Sequence, residues 1–437
     1  MKIMKNITIL FLLISTLGIC QKNRIPNKMI GEFDKILNDP TVLTKYDFTS
    51  NSPFKHILIP VDFGSNYLKD SITISNLENV HIKYITYVYS EYKSVKDFKQ
   101  FELNRERLYN LKKLMPELFN KEEIEWNTVM QTGATSTDEA ENLFHGFIVN
   151  YRPLPSPESI TREIEYMKSM VDSVLTFISP VSDTKTLITT FNTENSVTII
   201  AGDHYVSEMG IALSDSVFTS PTGTFNYGSY FKDSTVSTVL NRNKHWNKML
   251  INCDLTGSMS PYSAQLLVWH KLNMDKSRVQ HFVFFNDGDY TPDNRKIAGS
   301  TGGVYHSVPN DFEQLQKKAY KCMKNGGGGD APENDIEAIL KGLKKCENCN
   351  DIILIADNWA NMRDYKFIEE IGKPVRIILC GTHFGINKQY LNLARKTKGS
   401  IHTIEEDISN LMDLREGEKV TISGHTFLIK KGQFVKK

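Results

Sequence analysis

Lys248-Met249-Leu250-Ile251-Asn252-Cys253-Asp254-Leu255-Thr256-Gly257-Ser258-Met259-Ser260-Pro261 is the stretch on which the reading of this chain turns. Residues 249–253 form a short run, apolar but for Asn252, as a strand buried on both faces should be. The run passes directly into three oxygen-bearing side chains, and Pro261 suits the first turn of a helix. The same alternation continues downstream. Strands are expected at 280–285, 351–356, 375–380 and 400–404. Helices fit between and after them at 312–323, 334–344, 364–371 and 388–396. A strand-helix alternation of this kind predicts a doubly wound, Rossmann-like α/β sheet.

Such sheets bind ligands beyond the carboxyl ends of their strands. Asp254, Thr256 and Ser258, at alternate positions leaving the first strand, can turn one carboxylate and two hydroxyls into that crevice. Two later loops return to the same edge. Gly326-Gly327-Gly328-Gly329-Asp330-Ala331-Pro332-Glu333 precedes a helix, and Asp357 closes the strand that begins near 351. An all-oxygen set drawn from Asp254, Thr256, Ser258, Asp330, Glu333 and Asp357 suits a hard divalent cation and suits zinc or copper poorly. Mg²⁺ is the first expectation, with Mn²⁺ and Ca²⁺ as alternatives.

These three loops resemble the metal-ion-dependent adhesion site of the von Willebrand factor A (VWA) family. Asp254-x-Thr256-x-Ser258 matches its D-x-S-x-S loop, with Thr in place of the first Ser and the hydroxyl kept. Gly-Gly-Asp330-Ala-Pro-Glu333 is similar to the second loop of integrin beta-subunit and hemicentin-like domains, in which the Glu approaches the metal. Asp357 matches the acid of the third loop. The resemblance spans about residues 245–412 and implies a VWA domain that binds a partner through the cation, an acidic group of a protein or surface ligand completing the coordination. It says nothing of the N-terminal half.

Other readings of the same residues remain open. Asp, Thr and Ser after a strand can simply cap the following helix. A metal-dependent hydrolase or phosphatase would use Asp254 as nucleophile or ligand, but no His in the three loops offers a base. Haloacid dehalogenase-type phosphatases carry a second Asp where this chain has Thr256. A cell-envelope scaffold with no active metal site is the third alternative. A phosphate-binding loop is disfavoured, because Asp330 stands where Gly-Lys-Ser/Thr is required. Asp287 and Asp289 could hold a second cation, although a solvated turn accounts for them more simply.

The rest of the chain sets the context. Lys2 and Lys5 followed by a mostly apolar stretch over 7–17 read as an export signal, ending near residue 20. Simple cleavage and lipidation at Cys20 are both compatible with it. A periplasmic, envelope or secreted location follows, with no later span long enough to cross a bilayer. Lys+Arg 52 against Asp+Glu 51 leaves a net charge of +1, so no nucleic-acid partner is expected. Residues 21–152 read as an α/β domain of no nameable family, with strands at 56–61, 81–89 and 125–131 and helices at 95–114 and 138–144. His56, His145 and Arg152 within it are either functional or, more simply, structural. Residues 153–240 read as a linker and connecting α/β segment, opened by Pro153-Leu154-Pro155-Ser156-Pro157. That segment includes a helix at 159–177, strands at 186–191 and 196–202 and a loop at 221–230. The VWA-like domain follows over 241–412, and 413–437 reads as a β-hairpin. Cys253 and Cys380 read as buried thiols, while Cys346 and Cys349 suit either a local disulfide or two free thiols.

Overall fold

The computed structural model describes residues 25–47, 55–68, 77, 80–92, 98–120, 124–178, 196–201, 204–209, 217–220, 223–226, 231, 233–326, 332–382 and 385–436. The export signal with Cys20, the strand expected at 186–191 and Asp330 lie outside them. The described residues fall into two compact units: those within Met1–Ser50, Ile57–Ser75 and Tyr84–Val149, and those within Asn51–His56, Asn76–Lys83 and Asn150–Lys437.

The elements of the N-terminal region are α1 (Asn27–Leu37), β1 (Thr41–Leu43), β2 (Lys55–Pro60), β3 (Val80–Ser90), α2 (Gln100–Leu114), β4 (Glu125–Gln131), α3 (Thr137–Glu141) and β5 (Gly146–Pro153). They build a five-stranded sheet in the order β1-β4-β3-β5-β2, and β1, β4 and β3 run parallel. Val88, Val129 and Ile148 form a small buried cluster from its central strands. Helix α2 begins at Gln100, later than the apolar spacing from residue 95 suggests. The sequence reading anticipates neither α1 nor β5. His145 is 4% exposed and shares a 2.9 Å hydrogen bond with Ser90 Oγ. Burial lowers its imidazole to about 4, the behaviour of a neutral core histidine.

The second unit holds α4 (Pro157–Ile178), two short hairpins, α5 (Thr235–Arg242) and a seven-stranded sheet. The hairpins pair β6 (Ser196–Ala201) with β7 (His204–Met209) and β8 (Val217–Ser220) with β9 (Gly223–Asn226). β9 falls where a loop was expected over 221–230. Its Gly-Thr-Phe-Asn composition hides a strand that exists because it pairs with β8. Of the proline-rich stretch, Pro153 ends β5 and Pro157 opens α4, the position where a missing N–H costs least.

The large sheet comprises β10 (Met249–Asp254), β11 (Val279–Phe285), β12 (Val304–Ser307), β13 (Ile352–Asp357), β14 (Val375–Cys380), β15 (Ser400–His402) and β16 (Asp407–Ile408), in the order β12-β11-β10-β13-β14-β15-β16. The five strands from β11 to β15 run parallel, and β12 and β16 are antiparallel edges. Successive side chains feed two different cores. Met249, Ile251 and Cys253 join one cluster with α4, α5, α6 (Ser260–Asn273) and α7 (Phe312–Asn325). Leu250, Leu354 and Ile377 join the other with α8 (Asp335–Lys345) and α9 (Lys388–Lys396). A mostly parallel sheet with helices on both faces is compatible with a Rossmann-like arrangement, and its shared strand direction puts the carboxyl ends of β10, β11 and β13 on one edge.

Two local expectations are corrected. Residues 364–371 form a 3-10 turn over Tyr365–Glu370 in place of an α-helix. The C-terminal hairpin is a three-stranded antiparallel sheet of β17 (Lys419–Ile422), β18 (His425–Lys430) and β19 (Gln433–Lys436), whose Ile422, Phe427, Ile429 and Phe434 complete the second core. Helix α4 lies where a helix is expected over 159–177, and with α5 it joins the first core through Met167, Val171, Val236 and Val239. Cys346 and Cys349 are joined by a disulfide, and Cys253, Cys322 and Cys380 are buried thiols. Among the described residues, no helix is long and apolar enough to cross a membrane.

Candidate metal centre

Asp254 is the last residue of β10 and Asp357 the last of β13, so adjacent parallel strands deliver both carboxylates to one edge. Glu333 reaches the same place by a different device. Its N–H donates to Asn361 O and its carbonyl accepts from Arg363 N, both at 2.8 Å, which pins residue 333 alongside the loop after β13. One oxygen from each of Asp254, Glu333 and Asp357 lies within 4.8 Å of the others, and all three residues are buried.

Electrostatics makes this arrangement costly without a cation. Two charges at that separation repel by about 3 kcal/mol at an effective dielectric of about 20. Burial, with Asp357 and Asp287 close by, pushes the Asp254 carboxyl well above the usual carboxylate range, against two hydrogen bonds that pull it down. Those bonds come from Thr256, whose N–H donates at 2.7 Å and whose hydroxyl donates at 3.0 Å. Glu333 is raised in the same way, by burial and then by Asp287, Asp254 and Asp357. Its Oε2 is fully buried with no hydrogen-bond partner. A buried carboxylate oxygen left unsatisfied among like charges fits a divalent cation, which would satisfy the oxygen and offset the repulsion together.

The sequence-derived set divides three ways. Asp254, Glu333 and Asp357 come together, and Thr256 sits against Asp254. Asp330 lies outside the described residues, and Ser258 is placed only as backbone, in the short 3-10 turn Gly257–Met259. Of the pair weighed as a solvated turn, Asp289 behaves as a turn residue, accepting from Asn286 Nδ2 at 3.0 Å and from Tyr305 OH at 2.7 Å. Asp287 does not. It is 5% exposed and is the first of the neighbouring charges that raise the Glu333 carboxyl, a fourth acid on the cluster. Its place two residues beyond β11 was the signal available in the sequence. Gly303 shapes this turn: at φ +67°, a Cβ there would collide with Asn286 Oδ1.

Two further residues bound the centre. Arg152 places Nη1 3.5 Å from Asp357 Oδ2, and its guanidinium lies 3.9 Å from the centroid of the Trp359 ring. Trp359 N–H donates to the other Asp357 oxygen at 2.8 Å. Glu163, on α4, has its carboxylate against Gly257, where a Cβ would come within 3.1 Å of it. Burial raises Glu163 to about 7.

A second constellation bears on the hydrolase alternative. Ser400 Oγ lies 2.6 Å from His402 Nε2, and His402 Nδ1 lies 2.6 Å from Asp407 Oδ1, the order of partners in a Ser-His-Asp triad. A nucleophile must meet its substrate, however, and Ser400 is 1% exposed. Asp407 is further tied to Arg242 Nε at 2.9 Å and to Asn243 Nδ2 at 3.0 Å. These contacts make a structural network.

No family model, curated protein or solved structure matches this chain.

Proposed function

We propose that this chain is an exported protein whose residues 241–412 form a VWA-like domain, binding a protein or surface ligand through a divalent cation. The cation, Mg²⁺ foremost with Mn²⁺ or Ca²⁺ as alternatives, would be held by Asp254, Glu333 and Asp357. Thr256 and Ser258, and Asp330 by the resemblance of its loop, complete the assignment. The observation that carries this reading is the buried trio of carboxylates with an unpartnered Glu333 oxygen at the carboxyl edge of parallel strands. Oxygen-only chemistry favours a hard cation, and a ligand carboxylate is the natural group to complete its shell.

Thermal melting tests the reading directly. A ligand that binds only the folded state raises the melting temperature by mass action, about 2.7 kcal/mol at a hundredfold excess over Kd. Millimolar Mg²⁺ or Mn²⁺ should raise it over EDTA, and Zn²⁺ should not surpass them. Identical curves in EDTA and in all three hard cations would remove the metal from the proposal.

A further inference from the structure

Charge counting at the centre raises a difficulty for any acidic partner. Asp254, Glu333 and Asp357 bring three negative charges, and Asp287 adds a fourth acid, against the two positive charges of a divalent cation. A centre so composed is negative overall and would repel a carboxylate. Two neighbouring cations supply the compensating charge. Arg152 contacts Asp357 at 3.5 Å and stacks on Trp359, with a third of its side chain open to solvent. Lys83 donates to the Trp359 carbonyl and lies 5.7 Å from the same ring. Both residues belong to the second unit.

Resting on the cation-binding reading above, we propose that Arg152 is the specificity-determining residue of this centre, the group that makes it an acceptor for carboxylate ligands. One oxygen of the ligand reaches the cation and the other takes the Arg152 fork. A guanidinium is suited to this. It is planar, stays charged, offers parallel N–H donors to a carboxylate, and stacks on an aromatic ring without losing them. Trp359 holds the fork from one side, and a third of the Arg152 side chain is open to solvent, where a ligand can meet it.

Two roles for Arg152 predict different signs. If it only braces Asp357, its loss disorders a ligand and weakens cation binding. If it receives the ligand, its loss relieves Asp357 of a competing cation while removing an anchor for the carboxylate. The experiment uses the full chain, Mn²⁺ titrated by calorimetry, and acetate as the probe, its binding read from paramagnetic broadening by the bound Mn²⁺. Arg152→Gln should bind Mn²⁺ as tightly as the native protein or tighter. It should bind acetate about tenfold more weakly, the worth of one charge-assisted hydrogen bond. Arg152→Lys, which keeps charge without the fork, should fall between them, and it carries the test should the Gln variant fail to fold. Unchanged acetate affinity in the variants, or Mn²⁺ affinity lost in parallel with acetate, would overturn the assignment. A native protein that binds no Mn²⁺ overturns the metal reading itself, a separate result from a native protein that binds Mn²⁺ but ignores Arg152.

Discussion

The second unit contains two polar clusters built on opposite principles, one buried and one reaching the surface at Asp407. Asp254, Glu333 and Asp357 crowd like charges together, and a Glu333 oxygen goes without a partner. Ser400, His402, Asp407, Arg242 and Asn243 alternate donors with acceptors, and Asp407 alone accepts from His402, Arg242 and Asn243. Both contain a carboxylate on the sheet, and both would pass as an active site on residue type alone. The difference lies in satisfaction. A network that closes on itself has no valence left for a ligand, whereas a cluster of excess charge is complete only with something added.

That contrast is broken most severely by removing a charge from the open cluster. Asp254→Asn should cost cation affinity about a hundredfold or more, since even partners of metal ligands are worth 10–100-fold, and should abolish the cation-induced rise in melting temperature. Glu333→Gln should do the same to the rise, yet in EDTA it should melt higher than the native protein, because it removes an acid whose ionisation burial and three neighbouring acids disfavour. A mere helix-capping acid would instead lose about 0.3–1 kcal/mol. A Glu333→Gln variant that keeps the full cation response would assign Glu333 to the helix and break the comparison at its centre.

The closed cluster should fail in the complementary way. Asp407→Ala strands Arg242, His402 and Asn243 together. The Asp407 side chain is 30% exposed and its pair with Arg242 is screened, so the loss comes mainly from the stranded His402 and Asn243, about 1–2 kcal/mol. Denaturant unfolding should report the same loss in EDTA and in Mg²⁺. A loss confined to one condition would couple this network to the metal centre.

The sequence made the open cluster legible and hid the closed one, for identifiable reasons. Asp254 and Asp357 end apolar strands, and fully buried parallel strands announce themselves as unbroken Val/Ile/Leu-type runs, so both the sheet and its edge could be read. Asp287 lies past the end of β11 by the same logic, but Asn-Asp-Gly-Asp has such strong turn chemistry that its inward turn went unread. Arg242 was invisible because α5, Thr-Val-Ser-Thr-Val-Leu-Asn-Arg, is rich in β-branched residues of poor helix propensity. It is helical because Val236, Val239 and Leu240 pack into the first core, a tertiary decision. No sequence signal ties Arg152 to the centre, because β5 is not anticipated and an arginine finds its carboxylate 205 residues away only after the chain has folded.

The smallest expected effect is a pH dependence that belongs to the closed cluster. Burial, only partly countered by the hydrogen bond to Asp407, holds the His402 imidazole below its usual value. Asp407, despite the upward pull of burial, is held well below the usual carboxylate range by His402 and Arg242. A histidine whose folded value is depressed binds fewer protons folded than unfolded, so its contribution to stability is whole above about pH 6.5 and erodes as pH falls through that value. Asp407 has the same sign in a lower window, its contribution beginning to fail only as pH drops towards about 4. Between pH 7 and pH 5.5 the histidine should therefore act alone within this cluster, lowering stability on acidification. Other buried imidazoles such as His145 add to the total slope, so the measurement is a difference: unfolding free energy at the two pH values, native against His402→Gln, in EDTA. The variant should lose less stability than the native protein on acidification. Equal losses would mean that His402 titrates in the folded chain as it does in the unfolded one, and the claim that this cluster is closed around a neutral imidazole would fall.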